Sequence, residues 1–369
     1  MGLINAKAGG VHEKFLGIQS ARGFAALAVT LFHAVHGISL DQYVGYAPFK
    51  WFFSFAHSGV DFFFVLSGFI IYFAHHADIG QPSALPRYVW RRVTRIYPIY
   101  WVITGFVILL AIFRPGGGHG LEAEHVLKSV LLLPQSREPL IGVAWTLEHE
   151  MLFYLAFSLF IVGRRLGAIL FILWTCLIVG VAIVSPSGEL LRFLGSSYHL
   201  QFFMGVAAGH AVLNLRISWP RLLAFFGLLG FFFAGMMENA GFIAWGGLSS
   251  QLLFGSTATC IVFGLAAAER QGFLHIGPAS VFLGDASYSL YLTHTITIGL
   301  TARLLMIAGV IKLIPGWFVL IIVTVTAVIA AGLVYRFIER PLASLLGTIG
   351  RSYIYALHQR SKLRPKPIF

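Results

Sequence analysis

Two ionisable side chains interrupt the first long apolar stretch of the chain, residues 18–37. Arg22 and His33 are eleven residues apart. In an α-helix this spacing places them within about 20° of each other around the axis and about 16 Å apart along it. An imidazole can take a proton from a hydroxyl near neutral pH, and a guanidinium binds phosphate or carbonyl oxygens. The pattern predicts one helix face carrying a base and an anion-binding group; a packing histidine and a snorkelling arginine are the alternatives.

A second basic pair, Arg92 and Arg95, stands just before another apolar run and lies one helical turn apart. Two guanidinium groups on one face at a membrane surface suit phosphate or pyrophosphate. They also suit simple anchoring of the helix at the interface, and the residues alone leave both interpretations open.

The composition indicates where these groups lie. Hydrophobic residues make up 58% of the 369 residues and charged residues only 11%, with a mean hydropathy of +0.82. A soluble domain carries about 25% charged residues, so this chain cannot cover a water-facing surface. We predict an all-α, polytopic transmembrane bundle in contact with membrane lipid. The net charge of +12 then reports topology rather than nucleic-acid binding. Cys176 and Cys260 lack metal-ligand spacing, and no metal is expected.

Ten apolar runs are long enough to cross a bilayer. With both termini in the cytoplasm, the inner segments hold 18 Lys and Arg and the outer segments hold 7, which predicts an N-in, C-in orientation. We expect a transmembrane domain over residues 1–345 and a basic cytoplasmic tail over 346–369. The predicted spans are 18–37, 49–73, 97–113, 147–162, 166–185, 197–213, 222–238, 250–267, 281–301 and 315–336.

The ionisable groups inside the predicted spans also include Asp61, Glu150 and His294. Charged side chains at membrane depth are costly and are functional candidates by default. Counting residues from the span ends places His33, Glu150 and His294 at one outer level. Glu150 is then expected to orient His33 or to bind a substrate hydroxyl. For Asp61 we expect a structural pairing with a buried Arg or His.

In their order, these motifs make the chain similar to the membrane-bound acyltransferase-3 family, which includes bacterial O-acetyltransferases acting on exopolysaccharide, Nod-factor and O-antigen glycans. The similarity covers nearly the whole chain, with Thr146 standing where the family usually has Ser. The matching pieces are Arg22 and His33 with ten residues between them, 58–71 (SGVDFFFVLSGFII), 91–98 (RRVTRIYP), 145–154 (WTLEHEMLFY), 287–294 (SYSLYLTH) and 337–341 (FIERP).

The resemblance implies transfer of an acyl group, usually acetyl from cytoplasmic acetyl-CoA, to a glycan hydroxyl at the outer side of the bacterial inner membrane. His33 is then the base or the acyl carrier. By position in the motifs, the implied catalytic residues are His33, Arg22 and Glu150, the implied CoA-binding residues are Arg92, Arg95 and Arg22, and the implied supporting residues are Asp61, His294 and Tyr288.

Two other classes of function fit buried ionisable residues. A proton-coupled secondary transporter or flippase of a polysaccharide pathway uses such groups as a proton relay. A non-enzymatic component of a polysaccharide assembly complex needs none of them individually. Transporters often show internal repeats, and the sequence shows none.

Overall fold

The structure is a computed structural model that describes residues 15–113 and 120–350, together with the strands Ala6–Ala8 (β1) and Val11–Glu13 (β2). The two strands form an antiparallel hairpin in which Lys7 pairs with His12. Most of the predicted tail, residues 351–369, lies outside the described part of the chain.

The rest of the described chain is helical, as predicted. The α-helices are α1 (Leu16–Ile38), α2 (Lys50–Phe53), α3 (Gly59–His75), α4 (Leu85–Phe113), α5 (Ala123–Leu131), α6 (Trp145–Val162), α7 (Arg164–Val184), α8 (Glu189–Leu194), α9 (Tyr198–Asn214), α10 (Pro220–Asn239), α11 (Leu248–Arg270), α12 (Pro278–Asp285), α13 (Ser287–Ile307) and α14 (Gly316–Val334). α14 continues through a π-turn at Tyr335–Glu339 to residue 350.

Each of the ten predicted spans corresponds to one of these helices. Within the described residues, nine helical segments are long and apolar enough to cross a membrane. The remaining predicted span, 197–213, corresponds to α9, which has 17 residues and packs closely against α3. The outward faces carry exposed large apolar side chains such as Phe113, Ile183 and Leu304, as expected where lipid covers the surface. The polytopic helical bundle is therefore confirmed.

α1 occupies the centre of the bundle and contacts α3, α11, α12, α13 and α14. Its N-terminus is capped from another helix, because the Glu269 carboxylate accepts hydrogen bonds from the amides of Leu16 and Gly17 (2.9 Å from the latter). A carboxylate at this end also offsets the positive end of the helix dipole. The central position surrounds Arg22 and His33 with other helices.

Small residues let the central helices approach closely. A Cβ added at Gly284 of α12 would lie 1.9 Å from the Gln19 carbonyl oxygen of α1, and one added at Gly23 would lie 2.6 Å from the Gly284 amide. Only glycine fits such a crossing. This contact places the end of α12 beside the Arg22 guanidinium.

Candidate functional site

A cavity lies between α1, α3, α4, α6 and α13, enclosed largely by apolar side chains and containing two guanidinium groups and one carboxylate. These charges sum to one positive unit when all three groups are ionised, which favours an anionic or strongly dipolar occupant. The polar and aromatic-hydroxyl residues that line it are Arg22, Ser67, Arg95, Thr146, Glu150, Ser287, Tyr288 and Tyr291.

Arg22 is held rigidly on one side and is open on the other. Its Nε donates to Ser287 Oγ at 2.7 Å, and its Nη2 donates to the Gly284 carbonyl oxygen at 2.8 Å. The residue is 6% exposed, and Nη1 has no hydrogen-bond partner among the described residues. A buried donor without a partner costs free energy unless a ligand or water satisfies it. Nη1 therefore needs an oxygen of a ligand or a water molecule as its acceptor.

Arg92 and Arg95 of α4 take different positions. Arg95 lines the cavity. Arg92 lies beside it, with its guanidinium 5.6 Å from the centre of the Tyr154 ring and its Nη2 3.5 Å from His75 Nε2. His75 Nδ1 is itself 2.8 Å from the Asp78 carboxylate. Arg92 is thus the end of a chain that begins at Asp78, whereas Arg95 faces the cavity directly.

Glu150 connects α6 to α3 inside the cavity. Its Oε1 accepts hydrogen bonds from Ser67 Oγ at 2.6 Å and from the Tyr154 hydroxyl. These bonds fix the carboxylate near Arg22 and Arg95, and His33 is not among its hydrogen-bond partners in the described residues. The expectation that Glu150 orients His33 is therefore wrong.

The predicted common level for His33, Glu150 and His294 holds only for the two histidines. The residue count assumed that α6 starts at the outer surface of the membrane. In the structure the start of α6 lies beside α13 almost one turn before His294, because Thr146 Oγ1 is 2.8 Å from the hydroxyl of Tyr291. Glu150, one turn further along α6, is consequently at the level of Arg22 rather than of His33.

His33 and His294 form a direct pair. His294 Nε2 is 3.2 Å from His33 Nδ1, and the ring centroids are 4.9 Å apart. His294 is fully buried, and its Nδ1 is 3.0 Å from the Leu290 carbonyl oxygen. His33 is half-buried, and its Nδ1 is also 2.9 Å from the Val29 carbonyl oxygen. The pair joins α1 to α13 at the same height.

The carbonyl partners determine where the protons sit in the neutral pair. A carbonyl oxygen only accepts, so His294 Nδ1 carries a proton and its Nε2 holds a lone pair. His33 Nδ1 faces that lone pair and the Val29 carbonyl, two acceptors, and must carry its ring proton there. Neutral His33 therefore keeps its lone pair on Nε2, the nitrogen turned away from His294. This is the atom a base or an acyl carrier would use.

Tyr291 stands between the cavity and the histidine pair. Its ring lines the cavity, with a centroid 6.0 Å from that of His294 and 5.8 Å from that of Phe63. Its hydroxyl donates to the Val143 carbonyl oxygen at 3.0 Å. The cavity thus ends one aromatic side chain away from His294.

The two remaining predicted residues have structural bonds. Tyr288 lines the cavity and donates its hydroxyl to the Ile96 carbonyl oxygen at 3.1 Å. Asp61 accepts a hydrogen bond from Gln201 Nε2 at 2.5 Å. The expected pairing of Asp61 with a buried Arg or His is wrong, because the helix packed closest to α3 is α9, and α9 presents an amide at this height.

Ser287 and Tyr291 are among the cavity groups that were not predicted from the sequence. They precede His294 by seven and three residues on α13, a spacing that places all three on one helix face. The signal was present in the motif 287–294, but serine and tyrosine are common in membrane helices, and only their contacts with Arg22 and His294 distinguish them.

Comparison with known proteins identifies the family of the chain. A family model described as "Acyltransferase domain" matches residues 15–336. The exopolysaccharide production protein ExoZ of Rhizobium meliloti (strain 1021) is 31% identical over 260 residues, 68% of this chain and 79% of its own length. The acyltransferase MdmB of Streptomyces mycarofaciens is 26% identical over 364 residues, 88% of this chain and 91% of its own. No solved structure matches significantly. The chain belongs to the acyltransferase-3 family of multi-pass membrane proteins.

Proposed function

We propose that this membrane acyltransferase is an O-acyltransferase that carries an acyl group, most simply acetyl, from cytoplasmic acyl-CoA to a hydroxyl at the outer side of the bacterial inner membrane. The observation that carries the proposal is the His33–His294 pair, which leaves a basic nitrogen on His33 beyond the Tyr291 end of a cationic cavity. A glycan is the favoured acceptor because one relative is an exopolysaccharide production protein.

The charge of the cavity and the spacing of Arg22 and His33 support acyl-CoA as the donor. Arg95 and the open Nη1 of Arg22 suit the phosphates or the amide carbonyls of CoA. Arg22 and His33 are about 16 Å apart along α1, so a donor that contacts both residues must be extended. We place the pantetheine arm along this interval, with the thioester at His33. Because Tyr291 and Phe63 meet on this route, their rings must separate to admit it.

In the direct mechanism His33 Nε2 removes the proton of the acceptor hydroxyl. The oxygen attacks the thioester carbonyl carbon, the carbon–sulfur bond breaks, and the CoA thiolate leaves and takes the proton from His33. In the covalent variant, Nε2 attacks the thioester carbonyl carbon, the carbon–sulfur bond breaks and CoA leaves as the thiolate. The acceptor hydroxyl then attacks the acyl carbon, the carbon–nitrogen bond to His33 breaks, and the hydroxyl proton passes to the thiolate. Both variants require the same tautomer of His33, and His294 maintains it by accepting the Nδ1 proton in a hydrogen bond.

The test uses purified protein in lipid nanodiscs with radiolabelled acetyl-CoA. We expect CoA release with label transferred to an added glycan, and loss of both in His33→Ala. If denatured protein retains the label, and if this bound label is lost when the glycan is added before the quench, the covalent variant is identified. Substrate flux across vesicles without consumption of acetyl-CoA would instead support a transporter.

A further inference from the structure

An aromatic platform, made of Phe32, His57 and Trp245, lies beside His33. The Phe32 ring centroid is 5.1 Å from that of His33, 5.5 Å from that of His57 and 6.2 Å from that of Trp245. Trp245 is 66% exposed and lies in the connection between α10 and α11. This connection is on the same predicted side of the membrane as the end of α1.

A buried acidic group fixes one edge of the platform. Glu238 Oε1 is 2.6 Å from His57 Nε2, and Ser250 Oγ donates to Glu238 Oε2 at 2.6 Å. The side chain of Glu238 is 6% exposed and that of His57 is 14% exposed. Because Glu238 accepts the proton of Nε2, neutral His57 keeps a lone pair on Nδ1. The Trp245 ring packs against the same imidazole with centroids 5.0 Å apart.

This combination of surfaces matches a sugar ring. The C–H groups of one face of a pyranose are weakly positive and pack on the negative face of an indole. Its hydroxyls donate to acceptors at the edge of that face, which are His57 Nδ1 and Nε2 of the exposed His36, whose Nδ1 is 2.8 Å from the Phe32 carbonyl oxygen. A lipid tail would make no use of the His57–Glu238 pair.

We propose that the aromatic platform binds a neutral pyranose ring of the acceptor, stacked on Trp245, and so presents one of its hydroxyls to His33 Nε2. The assignment rests on the proposed function for the identity of the reaction, but the binding it predicts is independent of the donor. An exposed tryptophan also anchors membrane proteins at the lipid interface, and the test includes that role as an outcome.

Binding is measured without acyl transfer, by saturation-transfer difference NMR of cellotriose with protein in nanodiscs. The wild-type protein is expected to transfer saturation to the pyranose C–H protons, and Trp245→Ala to lose at least about four-fifths of that signal. Trp245→Tyr should retain most of it because the ring face remains. Trp317→Ala is the matched control, since Trp317 is 48% exposed on the same predicted side but outside the platform.

A kinetic measurement separates this proposal from the proposed function. In Trp245→Ala we expect KM for the glycan to rise about five- to tenfold, with KM for acetyl-CoA and CoA release without glycan unchanged. If the wild type does not bind cellotriose, the proposal that the platform binds a sugar is overturned. Equal losses of the saturation-transfer signal in Trp245→Ala and Trp317→Ala would also overturn it, because they would assign Trp245 to interface anchoring. Absence of CoA release in a wild type that binds cellotriose would contradict the proposed function and leave the platform supported.

Discussion

At the scale of single residues, the chemistry depends on which nitrogen of His33 is basic. The backbone of α13 determines this indirectly, because the Leu290 carbonyl fixes the proton on His294 Nδ1, and His294 then fixes the proton on His33 Nδ1. A buried histidine thus acts through its partner. His294 is a positioning residue in this account, and His33 is the catalytic one.

Replacing His294 tests this arrangement. We expect His294→Phe to lower kcat for transfer about 100-fold with little change in either KM, because the His33 ring loses one of its two acceptors and is held by the Val29 carbonyl alone. His294→Asn should recover much of the rate, since its amide oxygen can accept the His33 Nδ1 proton. His76→Ala is the control, because His76 is bonded only to a local carbonyl among the described residues. Equal losses in the Phe and Asn variants would mean that His294 only fills space.

A second prediction at the residue scale concerns Arg95 and Arg92 of α4 and the binding of the donor. Arg95→Gln should raise KM for acetyl-CoA about 10- to 100-fold, because a charge-assisted contact to the donor is lost. The same variant should be nearly unaffected with S-acetylpantetheine, a donor without phosphates. If the loss is the same for both donors, Arg95 does not bind phosphate. Arg92→Gln should raise KM equally for acetyl-CoA and for S-acetylpantetheine, since Arg92 contacts Tyr154 rather than the cavity.

At the scale of elements, the helices were predictable and their relative heights were not. Apolar length located all ten spans, because a bilayer imposes that length on any helix that crosses it. The predicted height of Glu150 was wrong because α6 starts beside Tyr291 rather than beside His294, and packing between distant segments of the chain sets this height. The partner of Asp61 was missed for the same reason. Sequence spacing orders side chains along one helix but carries no information about rotation between helices.

Glycine contacts between elements give a stability prediction. Gly68 of α3 and Gly205 of α9 lie where these helices cross, and a Cβ on Gly68 would stand 2.0 Å from the Phe202 carbonyl oxygen. Gly68→Ala should therefore lower the Tm by several degrees, since overpacking costs about 1–3 kcal/mol. Gly105→Ala is the matched control, because nothing lies within 4 Å of its added Cβ. A thermal-shift assay in which the two variants melt alike would contradict this crossing.

At the scale of the whole molecule, the site has a direction. The cationic cavity lies in the predicted inner half of the bundle. The His33–His294 pair and the aromatic platform lie toward its predicted outer half. A transferase that takes its donor from one side and its acceptor from the other needs this polarity.

The orientation itself is testable by cysteine labelling. In a Cys176→Ser, Cys260→Ser background, Gln42→Cys and Gln271→Cys place exposed thiols after α1 and after α11. A membrane-impermeant maleimide should label Gln42→Cys in spheroplasts and Gln271→Cys only after permeabilisation. The reverse pattern would invert the proposed direction of transfer.

The central claim is that His33 transfers, or assists the transfer of, an acyl group from acyl-CoA. The most direct measurement is the rate of label transfer from acetyl-CoA to a glycan by purified wild-type protein and by His33→Ala, each shown by size-exclusion chromatography to be folded. The account predicts measurable transfer by the wild type and none above background by the variant. Transfer by His33→Ala at the wild-type rate would contradict it.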